Sequence, residues 1–402
     1  MILKNSFFSL LGKASEAIIT IGGLSILGRQ LRPEDFGVFA IILSVQAFFQ
    51  PFVDMGFGPA FVKAKEESDS LKNLFYSLNF FVGALNMSFL IIFSFFVGSY
   101  YDQEGLQAFM IVFSFSVFFN ALSRQRNAQL LREQNYKAIA FISISTSFLA
   151  TGVAIAFAIS GFGVWSLVAK ALALSILKFM LFKGLVRKNY KIDLSKIKQH
   201  KKDLSFGLKL LLIRLVNGLS NSLDKLLFGK FFGTELLGQY SNSMSIVRMI
   251  DNNVRVPLTS VLFSHVERLP KEKRKRSSLK LSLKMATLPI LACLGLVVFG
   301  EQIIIILLGE QWIEASVFIP FIAFFGLGQV FKGISSTLFM IADRLNRFLT
   351  LNMVSFCVLI VAAYLGFSQM NALLFVKALS FGYFGFWVII FGTRLFRLNL
   401  SL

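Results

Sequence analysis

Acid is what this chain is short of. Against 41 Lys and Arg it carries 21 Asp and Glu, a formal charge of +20 on 402 residues. Such an excess marks nucleic-acid binding when the cations share one face. Here they fall in alternate connections between apolar runs, the pattern of membrane topology, so nucleic acid is not expected as a partner. Cysteine is nearly missing as well. Cys293 and Cys357 sit inside apolar runs with no CxxC or metal spacing, so both read as inert packing. The two histidines, His200 and His265, have no second ligand at metal spacing, and no metal site is expected. No GxxxxGKS or GxxxxGKT phosphate loop is present, which argues against direct ATP drive. No outward connection is longer than about 15 residues, too little for an extracytoplasmic catalytic domain.

What the chain does have is apolar residues, 55% of the total, with mean hydropathy +0.70. They are grouped in runs of about 20, the length that crosses a bilayer as a helix. Roughly twelve spans are expected: 6–31, 36–62, 74–97, 109–121, 138–159, 164–182, 204–231, 237–263, 281–299, 312–341, 348–365 and 372–391, the fourth being the weakest. The N-terminal run carries Lys13 and Glu16 and lacks a small-residue cleavage site, so it reads as a retained first span. One set of alternate loops with the termini holds about 26 Lys and Arg, the other only Arg29, Arg32 and Lys230, which puts both termini in the cytoplasm.

The longest cytoplasmic segment, 183–203, has eight Lys and Arg and divides the chain into lobes 1–182 and 204–402. The segment RLPKEKRKR at 268–276 is the next most basic. Both are read mainly as topology signals, with anionic lipid or a cytoplasmic partner as the alternative.

Within span 204–231, Arg214, Asn217, Asn221 and Asp224 recur at helical spacing and share one face. A charge at the centre of a spanning helix costs at least about 2.5 kcal/mol, so this face is expected to meet a water-filled cavity or a partner. The halves also repeat. GRQLRPEDFGVFA at 28–40 matches GKFFGTELLGQYS at 229–241, pairing Gly28 with Gly229, Glu34 with Glu235 and Gly37 with Gly238. The same offset brings Lys13 onto Arg214, Glu16 onto Asn217, Gln50 onto Asp251 and Asp54 onto Arg255, while VAKAL at 168–172 matches FVKAL at 375–379. An even number of spans per half implies a parallel repeat, which places a substrate site between two lobes.

The candidate lining is therefore Lys13, Gln46 and Gln50 from the first lobe and Arg214, Asn217, Asn221, Lys225, Arg248 and Arg255 from the second. Several cations near the midplane favour an anionic ligand, since diphosphate oxygens accept the paired bonds that Arg donates. Glu16, Asp54, Asp224 and Asp251 are candidates for coupling to a proton or sodium gradient, their charge being costly in low dielectric. For Asp251 a permanent ion pair with Arg248 or Arg255 is the competing reading. The Asn and Gln side chains have one too, as hydrogen-bonding glue between helices.

Four segments, GRQLRPEDFGVFA, GFGVWSLV at 161–168, LGQYSNSMSIVRM at 237–249 and LGEQWIEA at 308–315, resemble the Wzx-type polysaccharide flippases of the multidrug, oligosaccharidyl-lipid and polysaccharide (MOP) exporter superfamily. The resemblance implies an all-α membrane protein of two six-helix lobes in a V-shaped, MATE-like bundle. It implies alternating access that moves undecaprenyl-diphosphate-linked oligosaccharide across the inner membrane, with membrane lipid and a polysaccharide polymerase as partners and no cofactor. Many relatives with this first motif add two further C-terminal spans. A drug or metabolite exporter of the same fold is the runner-up, disfavoured by the cationic balance. A membrane-embedded glycosyltransferase would need catalytic carboxylates near a sizeable loop, which the short outward connections do not supply.

Overall fold

The computed structural model describes residues 2–53, 61, 68–194, 218, 222–256, 258, 271–341 and 344–399, and these are helical almost throughout. In chain order the helices are α1 (Ile2–Gln30), α2 (Pro33–Val53), α3 (Asp69–Tyr101), α4 (Leu106–Arg132), α5 (Tyr136–Ile159), α6 (Val164–Leu185), α7 (Leu223–Ile250), α8 (Lys271–Leu308), α9 (Ile313–Ile341), α10 (Leu345–Ser368) and α11 (Ala372–Asn399). Nine helices among the described residues hold a stretch long and apolar enough to cross a membrane. Large apolar side chains such as Phe96, Ile159, Ile306 and Tyr364 lie about two-thirds exposed on them, as lipid-facing positions do in place of a solvated polar face.

Local sequence explains where the helices begin and end. Ser68 caps α3 by accepting from Leu71 N (3.1 Å), Asn135 caps α5 through Ala138 N (3.1 Å), and Asn371 caps α11 through Leu374 N (2.9 Å). Each satisfies a backbone donor that would otherwise be unpaired at a helix start. Between α1 and α2 the chain leaves helical geometry at Leu31 and Arg32. At the matching place in the second half, α7 is broken by one non-helical residue, Gly233, with φ 85° and ψ 170°. Only glycine adopts that conformation cheaply. The expected turn between spans seven and eight is thus a single-glycine break, in register with Arg32 at the offset of the sequence repeat.

The chain forms two compact units, Met1–Leu226 and Leu227–Leu402. In the first, α3 packs on α4, and α4 and α5 both pack on α6; in the second, α8 packs on α9, and α9 and α10 both pack on α11. The same pairs of successive helices meet in each unit, so the repeat read from short matches is a repeat of packing. The division falls at Leu226, beyond the basic segment at 183–203. The start of that segment is strapped to the first unit: Lys191 N donates to Asn73 Oδ1 (3.0 Å), Asp193 N donates to Ser77 Oγ (2.7 Å), and Tyr190 stacks on Tyr76 with centroids 5.2 Å apart.

The fourth span is longer than hydropathy indicates. Expected over 109–121, it is part of a helix that continues to Arg132, so Arg124, Gln125, Arg126 and Gln129 are helical and not part of a loop. Hydropathy stops at these residues because it registers polarity and not burial, yet Gln125, Arg126 and Gln129 are all at most 5% exposed. Likewise α8 begins at Lys271, within the basic run that was read as a connection. Spans two, seven and eight run into residues outside the described ones, so the count of twelve is not reached there.

Candidate functional site

In the second unit the site forms where α7 passes into a π-helical turn, Asp251–Arg255. Such turns are rare and recur at functional positions. Arg255 Nε and Nη2 both donate to the Asp251 carboxylate, the second at 2.8 Å, and the two side chains are 17% and 21% exposed. The guanidinium lies against Gly333 of α9, where any Cβ would overlap Arg255 Nη1. The next residue, Lys332, sits near both Arg255 and Asp251 with its Nζ 5.8 Å from the centre of the Trp387 ring. Lys332 lies on α9 about 10 Å inside the end of its apolar stretch at Phe339. Arg248, one turn before Asp251 on the same helical face, is half-buried. Among the described residues around the turn, Arg248, Arg255 and Lys332 thus stand against one acid, Asp251.

The elements around the turn are fixed by buried polar clips. Gln239 Nε2 donates to Gln311 O (3.0 Å), Ala315 N donates to Gln239 Oε1 (3.1 Å), and Ser243 Oγ donates to Ala315 O (2.9 Å), tying α7 to the start of α9. Two of the quoted motifs, 237–249 and 308–315, meet in these bonds.

The first unit holds a different arrangement. Lys178 Nζ lies 4.0 Å from Glu16 Oε1, which also accepts from Ser147 Oγ at 3.4 Å. Between α2, α4 and α6 is a cavity of about 190 Å3 whose polar lining includes Gln46, Gln50, Asn120, Arg124 and Lys178. Gln46 Nε2 donates to Gln50 Oε1, so the two amides form one unit on α2. On α4, Arg126 is 5% exposed and lies among the rings of Tyr76, Phe179 and Tyr190 at 5.4, 5.6 and 5.1 Å. No acid pairs with it among the described residues. At the other end of the unit, Asp35 in the first turn of α2, ahead of the apolar stretch, accepts from Arg32 N (2.9 Å) and faces the Val164 backbone at the start of α6. Burial raises its carboxyl above the ordinary aspartate value, against the pull of those two backbone donors.

Of the residues selected from sequence, Arg248, Asp251 and Arg255 come together as a face, and Glu16 comes to Lys178. Asp224 is half-buried at the start of α7 and Lys13 is exposed on α1. Arg214, Asn217, Asn221 and Asp54 lie outside the described residues. For Asp251 the ion-pair reading is the one the geometry displays. Sequence reasoning missed Arg124, Arg126, Lys178 and Lys332. The signal for Lys178 was its place on one helical face with Ala171, Leu174 and Ser175, and the signal for the arginines was their continuation of the α4 periodicity beyond Ala121.

A family profile described as "Polysaccharide biosynthesis protein" matches residues 26–317. The chain belongs to that family. The matched stretch contains the Asp251–Arg255 turn and the lining of the first-unit cavity. Among its relatives, the teichuronic acid biosynthesis protein TuaB of Bacillus subtilis is 24% identical over 336 residues, covering 81% of this chain and 68% of TuaB. The chain spans about two thirds of the length of the curated relatives it matches. Two solved structures share the fold of this polysaccharide biosynthesis family member. One is an inward-facing multidrug resistance MATE family transporter of the MOP superfamily, with TM-score 0.74, 14% identity, and coverage of 96% of this chain and 95% of that one. The other is the lipid II flippase MurJ in an inward closed conformation, with TM-score 0.73, 12% identity, and coverage of 96% and 87%. The MOP-type, all-helical membrane fold expected from the sequence is the fold observed.

Proposed function

We propose that this chain is a flippase that carries an undecaprenyl-diphosphate-linked oligosaccharide from the cytoplasmic to the periplasmic leaflet of the inner membrane by alternating access. The observation that carries the reading is the cation excess inside the second unit, where Arg255 and Lys332 share one acid, Asp251. A cation is a costly way to hold helices together in a membrane, and a ligand diphosphate would repay that cost with charge-assisted bonds. Arg214, Arg248, Asn217 and Asn221 extend the same lining in this reading, with both termini cytoplasmic and a polysaccharide polymerase as partner. The Glu16–Lys178 pair supplies a carboxylate that an incoming proton or sodium ion competes for, which makes Glu16 the coupling candidate alongside Asp224, Asp251 and Asp54.

The test is a strain lacking this gene but retaining its glycosyltransferases. Diphosphate-linked oligosaccharide should accumulate on the cytoplasmic leaflet, and the wild type should relieve it. Arg255→Ala should insert normally and fail to relieve it. Intact surface polymer in the deletion strain would instead favour an exporter of small molecules on the same fold.

A further inference from the structure

The cavity in the first unit has a composition that the diphosphate does not explain. Its polar lining combines two cations, Arg124 and Lys178, with three carboxamides, Gln46, Gln50 and Asn120, and two hydroxyls, Ser116 and Ser175. Carboxamides both donate and accept, as sugar hydroxyls do, whereas phosphate oxygens at neutral pH mainly accept. Phe113 is part of the same wall and offers an apolar face to the C–H side of a ring. At about 190 Å3 the cavity has room for several waters, and so for a ligand of one ring and not a chain of them. Asn120 is exposed at its edge, so the lining reaches the outside.

We infer that this cavity is a binding subsite for a single acidic sugar, a hexuronate-type unit, with Arg124 and Lys178 on the carboxylate and Gln46, Gln50 and Asn120 on the hydroxyls. Lys178 is held only loosely by Glu16, at 4.0 Å, so it can turn to a ligand carboxylate at small cost. The subsite rests on the flippase reading for the source of its ligand, the glycan of the carried lipid. It makes the first unit a selector of sugar charge, separate from the cationic turn in the second.

The full chain in nanodiscs tests this. Cys293→Ala and Cys357→Ser remove the native thiols, and Ala171→Cys places one in the cavity wall. Labelling by a charged methanethiosulfonate is timed with D-glucuronate, D-glucose or inorganic phosphate at equal ionic strength. Glucuronate should slow labelling about threefold at about twice its Kd, by simple occupancy. Glucose and phosphate should not, and the protection should vanish in Lys178→Met and in Arg124→Gln. Equal rates in all three, or a thiol that never reacts, would overturn the subsite. Protection by phosphate alone would make it a plain anion site, and equal protection by glucose would remove the role of the cations; either result overturns the proposal. Failure of the flippase reading would register elsewhere, as surface polymer in the deletion strain, and would leave the labelling result unchanged.

Discussion

In the second unit Arg255 and Asp251 close on each other four residues apart on one helical turn, while in the first unit Arg126 has three aromatic rings around it and no acid among the described residues. One is partly buried and the other fully buried in a lipid-facing bundle, and the chain has answered the cost of each in a different way. A carboxylate neutralises the charge and fixes its direction, but the pair has to be broken before Arg255 can serve a ligand. Rings stabilise a guanidinium through their faces without neutralising it, so Arg126 keeps its positive field. The second unit therefore has a switchable charge and the first a permanent one. The strap of Tyr190 onto Tyr76 and Arg126 further ties that permanent charge to the start of the basic segment at 183–203.

The largest effect that would break this contrast is on the pair. Asp251→Asn should leave Arg255 uncompensated and lower stability by about 3 kcal/mol, the lower end of the scale for a buried pair because this one is partly exposed. Adding Arg255→Gln to it should recover most of that loss. Chemical unfolding of the purified protein in detergent reads both. A double variant as unstable as the single would mean that the two side chains are not coupled. Transport should be lost in the double variant, which lacks the cation, whereas Asp251→Asn keeps a charged Arg255 that no longer has to leave its partner.

A smaller effect separates ring stabilisation from charge. Arg126→Met keeps much of the volume and removes the charge, and should stay within about 1 kcal/mol of the wild type. Arg126→Lys keeps the charge but loses the planar fit to three rings, and should cost about 2 kcal/mol. If Lys were the milder change in a thermal unfolding series, the positive charge itself and not the stacked plane would be what the cage holds.

The contrast also explains what could be read from sequence. Asp251 and Arg255 were visible because their helical spacing is local, and the break at Gly233 because the repeat carries it in register with Arg32. The Arg126 cage was not visible. Its rings come from α3, α6 and the segment after α6, at positions 76, 179 and 190, and no local period links them. Hydropathy moreover ended the fourth span at Ala121 and assigned the arginines to a loop. Lys332 was hidden for the same reason: its neighbours Arg255 and Trp387 are distant in sequence, and a lone lysine in an apolar run carries no spacing signal. The fold was legible because spans and repeat are one-dimensional patterns, whereas the site depends on which faces meet.

The smallest effect concerns a carboxylate answered first by a backbone donor and only then by a charge, that of Arg32, which Glu34 opposes. Asp35 is half-buried against backbone donors at the starts of α2 and α6, and its carboxyl is shifted upward. The folded state thus holds the proton more tightly than the unfolded chain, where an aspartate titrates near about 3.9. The stability linked to this proton is fully present below about pH 4 and is lost as pH rises through the folded value. Asp35→Asn keeps a carbonyl for Arg32 N and removes the charge, so its unfolding temperature should lack this dependence and exceed that of the wild type most at neutral pH. Asp35→Ala removes the acceptor as well and should cost about 1 kcal/mol, the scale of a lost helix cap. An Asn variant that tracked the wild type at every pH would show that the backbone donors and the Arg32 charge together offset the burial of this carboxylate, as Arg255 does for Asp251.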